Sequence, residues 1–143
     1  TGSRAKTQVS EINMIGQQIQ AIRDGRILDR FTPISAMCYN CANSNFQQQL
    51  YNTVIHWAIQ NAIIIHCSPP DEVCKNFSTH EVREGEDPNH EKWLIENADR
   101  ILDNYKALFY KVPHIKYDYT EKREFFADNL HDYYNVVKDN FSE

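Results

Sequence analysis

The sequence predicts an all-α fold: a compact bundle of four main helices plus one short helix, with a central helix over about residues 45–65. Three observations predict it. Apolar residues recur at spacings of three and four in four separate segments, the period of an amphipathic helix. Glycine and proline number only 4 and 5 in 143 residues, fewer than the turns of an all-β fold require. Residues 31–70 contain no Asp, Glu, Lys or Arg in a chain that is 24% charged, so the helix inside that stretch is apolar around most of its circumference. Such a helix is normally covered on several sides.

The first helix is signalled by Ser10 as N-cap and by the stripe Ile12, Ile15, Ile19 and Ile22. Gly25 is its stop, and Thr32-Pro33 closes any continuation, because a residue before proline avoids helical dihedrals. Asn43-Ser44 caps the central helix. Its stripe is Phe46, Leu50, Val54, Trp57, Ala58 and Ile65, widened by Tyr51, Ile55, Ile59, Ile63 and Ile64. Pro69-Pro70 ends it, and Ser68-Pro69 followed by Asp71-Glu72 opens a short third helix.

Residues 78–87 are polar, acidic and aperiodic, which predicts an exposed loop. Asp87-Pro88 starts the fourth helix, with stripe Leu94, Ala98, Ile101, Tyr105, Leu108 and Val112, and Pro113 ends it. Asp118 with Glu121 has the spacing of a capping box for the fifth, whose stripe is Phe126, Leu130, Tyr133, Val137 and Phe141. No strand is expected. The opening Thr1-Gly2-Ser3-Arg4 lacks an initiator methionine, so residues 1–9 read as a cloning remnant or flexible lead and residues 10–143 as a single helical domain.

A net charge of −5 argues against general binding to nucleic-acid phosphates, which needs a basic surface. No apolar run approaches the ~18 residues of a membrane span. The charge is unevenly spread: residues 1–30 balance at +2, residues 71–103 at −6, and residues 104–143 at −1. The abundance of Asn, Tyr and Ile suits an AT-rich or viral genome.

Cys38-Tyr39-Asn40-Cys41 with Cys67 and Cys74 invites a four-cysteine zinc site. A helix over residues 45–65, about 30 Å long, would hold the two cysteine pairs at opposite ends, which counts against it unless the helix is broken. A local zinc site is easier to build from His66, Cys67, Cys74 and His80, although the spacing matches no standard pattern. Cys67 and Cys74 are alternatively a disulfide in a secreted bundle, and Asn76 and Asn140 begin glycosylation triplets. The plainest reading is reduced, mostly buried thiols in an intracellular protein, with no cofactor.

Catalytic templates fail in turn. His80-Glu81 and His90-Glu91 lack the second histidine of a zinc-protease helix, and no Gly-rich phosphate loop is present. Asp128 and His131 supply half of a di-iron motif. His56 and His131 read as bundle residues. The expectation is therefore a non-catalytic protein–protein interaction or assembly domain, pairing with a protein partner or a second copy of itself. Its interface would be carried by Tyr51, Ile55, Ile59 and Ile63. A secreted, disulfide-stabilised bundle carrying an extracellular or small apolar ligand is the alternative, and a helical domain with structural zinc a further one.

Overall fold

A computed structural model describes residues 8–39, 44–74 and 88–141. These form helices α1 (Gln8–Arg23), α2 (Thr32–Cys38), α3 (Asn45–Asn61), α4 (Asp71–Cys74), α5 (Pro88–Lys111) and α6 (Arg123–Phe141), with strands β1 (Ile65–Cys67) and β2 (Ile115–Tyr117). The chain is mostly helical, as the periodicity predicts, but the all-α expectation needs correcting for the two strands. The described residues divide into two compact units, one ending at Ile63 and the other starting at Ile64. The loop expected at residues 78–87 lies outside the described residues.

In the first unit, α1 ends where glycine predicts. Gly25 adopts φ 73°, a left-handed conformation it alone takes without a Cβ clash. The Gly25 amide donates to Ile22 O and the Arg26 amide to Ala21 O, which closes the helix in a Schellman motif. Thr32-Pro33 then opens α2, where the sequence predicted only a stop. Proline's fixed φ suits a first helical turn, and its missing N–H is one the turn would leave unpaired anyway. Gln18 of α1 locks that start: its Oε1 accepts from the Thr32 amide at 2.9 Å and its Nε2 donates to Thr32 Oγ1 at 3.0 Å.

Helix α3 begins with the capping expected of Ser44. Its hydroxyl accepts from the Gln47 amide at 3.1 Å, and the Gln47 side chain accepts from the Ser44 amide at 3.3 Å. The core of the unit is Ile15, Ala36, Tyr51 and Val54, with Ile19, Phe31, Met37 and Leu50 against it. Cys38 and Ala58 are also buried, while Val9 and Phe46 stay exposed.

The central helix does not reach Ile65. Asn61 is its last residue, and Ala62 turns to φ −146°, ψ 158°. Ile63, Ile64 and Ile65 are β-branched, fit a pleated chain better than a helical one, and lead into β1.

In the second unit, β1 pairs with β2 in parallel, Ile65 opposite Ile115, His66 opposite Lys116 and Cys67 opposite Tyr117. Parallel strands need a crossover, and α4 and α5 lie within it. Helix α5 buries Ile101 and Phe109, and Val112 is buried just beyond it. Strand β2 lies against α6, where Tyr117 meets Phe126 edge-to-face at 4.4 Å between ring centres. The capping box expected of Asp118 is absent. Its carboxylate accepts instead from the amide and hydroxyl of Thr120, and α6 starts at Arg123.

Tyr51 is 1% exposed and central to the first unit. Replacing it by alanine is expected to cost about 3–5 kcal/mol, the usual range for emptying a buried aromatic site. Thermal denaturation followed by circular dichroism checks it.

Candidate functional site

The second unit holds an open cleft of about 390 Å³. Strand β1 contributes His66, and the turn after it Ser68, Pro69 and Pro70. Asp71 comes from α4, Lys106, Phe109 and Tyr110 from α5, and His114, Lys116 and Asp118 from β2 and its flanks.

The floor is aromatic. Tyr105 and Phe109 lie one turn apart on α5, so they share a face, and their rings are within 8° of parallel. The His66 ring stacks on Phe109 at 3.9 Å between centres and 12° between planes. The His114 ring meets His66 at 5.7 Å and Phe109 at 4.8 Å, both edge-on. His114 Nδ1 lies 2.7 Å from Val112 O, a contact that assigns the proton to Nδ1 and leaves Nε2 as the other polar atom of the ring.

Charge is sorted along the cleft. Burial in this stack lowers the His66 pKa to about 4, with His114 and Lys116 adding repulsion, so its imidazole is neutral near pH 7. Near the cleft acids Asp71 and Asp118, burial raises the Cys74 pKa above that of an ordinary thiol, and the two carboxylates add to it. Asp71 is paired with Lys106 at 2.6 Å.

The zinc candidate His66, Cys67, Cys74 and His80 is not brought together as a set. Successive residues of a strand face opposite ways, so His66 turns to α5 while Cys67 points to the other face and is exposed. The Cys74 thiol faces Pro69 O at 3.6 Å. His80 lies outside the described residues, and among the described residues no group of three or more such side chains is placed to hold a metal. Cys67 and Cys74 form no disulfide. Cys41 and Asn76 lie outside the described residues, so neither the four-cysteine set nor that glycosylation triplet has a geometry to report.

Of the four positions expected to form an interface, Tyr51 and Ile55 are buried at 1% and 3% exposure. Ile59 is half-buried and Ile63 is exposed. His56 and His131, expected as bundle residues, are both exposed. Ser68 shares the cleft with two imidazoles, yet no hydrogen bond among the described residues joins it to either, so no nucleophile–base pair is assembled. Sequence reasoning missed Phe109, His114 and Lys116 as site residues. The signal available was the similarity of Ile63–Cys67 and Pro113–Tyr117 as short β-prone runs after helix ends.

A lowered histidine pKa disfavours the charged form in the folded state. The stability it contributes is present above the unfolded value of 6.5 and is lost as pH falls from there toward about 4. Proton NMR titration is expected to place His66 near 4, and His66→Phe to flatten the loss of stability over that window. Cysteine labelling gives a second check. Burial pushes the Cys38 thiol up to about 12 and leaves it 1% exposed, whereas Cys67 is open to solvent. Iodoacetamide followed by peptide mass mapping is expected to find Cys67 modified in the native protein and Cys38 only after denaturation.

Comparison with known proteins finds no match to this chain among family models, curated proteins or solved structures.

Proposed function

We propose that this chain is a non-catalytic protein–protein interaction or assembly domain, and that β1 is its attachment strand. The observation that carries this reading is the open edge of β1. The amide of Ile115 donates to Ile64 O and the amide of Ser68 to Tyr117 O, which fixes the phase of the ladder. Residues 64, 66 and 68 therefore bond toward β2, and the amides and carbonyls of Ile65 and Cys67 face the opposite edge. No backbone partner meets them there among the described residues.

The side chains agree with the backbone. Ile65 is 45% exposed and Cys67 is exposed, although their in-register neighbour Ile115 on the same face is buried at 3%. Soluble proteins usually guard an edge with charge, a bulge or a covering element. Residues 63–70 carry no charge, and only Pro69-Pro70 interrupts the edge. An extended segment adding to β1 would satisfy these groups by β-augmentation. Among the described residues no helix is long and apolar enough to cross a membrane.

A three-residue ladder with its flanking side chains belongs to the small end of interface sizes, below about 1,200 Å² in total, where association is transient. The test is therefore run across a range of concentrations by size-exclusion chromatography with light scattering. Mass is expected to rise with concentration, and hydrogen exchange at the Ile65 and Cys67 amides to slow in parallel. Ile65→Lys, which charges the edge without touching the bonds to β2, is expected to restore the monomer. A constant monomer mass with freely exchanging amides rules out self-association, and the same exchange in cell extract rules out a strand-adding partner.

A further inference from the structure

The other face of the same sheet gathers basic groups, independently of the edge strand. Residues in register on parallel strands point to one face, so His66 and Lys116 stand side by side. His114, two residues before Lys116, brings its ring within 5.7 Å of His66 between centres. All three line the cleft. They come from β1 and from the run that enters β2, so two stretches far apart in the chain converge on one corner.

The acids of the cleft have other hydrogen-bond partners. Asp71 is held by Lys106 at 2.6 Å, and one Asp118 oxygen accepts two hydrogen bonds from Thr120. Their influence falls on Cys74, whereas the charges felt at His66 are those of His114 and Lys116. Among the described residues Lys116 has no acidic partner, although the chain as a whole is at −5.

We infer that the corner formed by His66, His114 and Lys116 binds a small oxyanion of the phosphate or sulfate type. Lys116 supplies the fixed positive charge. His66 supplies one ring N–H while neutral, and the His114 ring, its Nδ1 engaged by Val112 O, bounds the corner edge-on to His66. A tetrahedral oxyanion presents acceptors on every side and so meets donors arriving from both strands, where a flat carboxylate presents two oxygens in one plane. Its charge is met by the fixed charge of Lys116. Asp71, Lys106, Tyr110 and Asp118 are the other titratable groups that line the cleft, and Asp71 is paired with Lys106.

Sodium sulfate is the probe, because its charge stays fixed between about pH 5 and 8, the range in which histidine titrates. The protein is titrated at constant ionic strength against sodium chloride, and the imidazole ¹⁵N and ¹H signals of His66 and His114 are followed by NMR. Both rings are expected to shift saturably, with a dissociation constant of about 1 mM or tighter. Lys116→Gln is expected to weaken binding about tenfold or more, the loss of one charge-assisted contact. Lys92→Gln removes the same charge from an exposed site near the start of α5 and is expected to change nothing. Shifts that never saturate, or a Lys116→Gln protein that titrates like its parent, overturn the site. Acetate binding as tightly as sulfate overturns the assignment to tetrahedral oxyanions.

Discussion

The second unit depends on one short interaction, the parallel pairing of Ile65–Cys67 with Ile115–Tyr117. Three residues on each side, 50 positions apart in the chain, are held in register by backbone hydrogen bonds. Closing a loop of that length is entropically unfavourable, and so few bonds offset it only with packing on both faces of the sheet. One face is covered by the Tyr105 and Phe109 rings of α5 meeting His66. The other is covered at β2 by α6 through Phe126. Among the described residues coverage stops at β1, where Ile65 and Cys67 are exposed.

The same register sets both candidate surfaces. Period-two alternation sends His66 and Lys116 to the cleft face and Ile65 and Cys67 to the opposite one. A slip of one residue would exchange them, placing the imidazole in solvent and the isoleucine against α5. The aromatic stack around His66 resists that slip, since moving the ring would forfeit its contacts with Phe109, Tyr105 and His114. The cleft and the outward side chains of β1 thus share one framework while lying on different faces of it.

The first unit rests on more local physics. Its helix ends are fixed by side chains close in sequence: Ser44 with Gln47, Gly25 with the last turn of α1, and Pro33 at the opening of α2. Gln18 reaching Thr32 is the longer-range tie that turns α1 and α2 toward one another around Ile15, Ala36 and Tyr51. Helix α3 proves less enclosed than its lack of charge suggests, because glutamines and asparagines supply a polar side without charge.

The sequence by itself determined five of the six helices described and the ends marked by Gly25, Ser44, Pro88 and Pro113, because caps, glycines and prolines act within a few residues and leave a local signature. It also determined the charge-free stretch in which the open edge lies. Tertiary structure decided the strands, since an apolar run of three isoleucines suits helix and strand alike until a partner segment arrives. It decided the site for the same reason. His66, Cys67, Cys74 and His80 look like a set in sequence, yet strand alternation turns His66 and Cys67 apart. His66 lies far in sequence from the His114–Lys116 run, and the two are joined only by register and ring stacking.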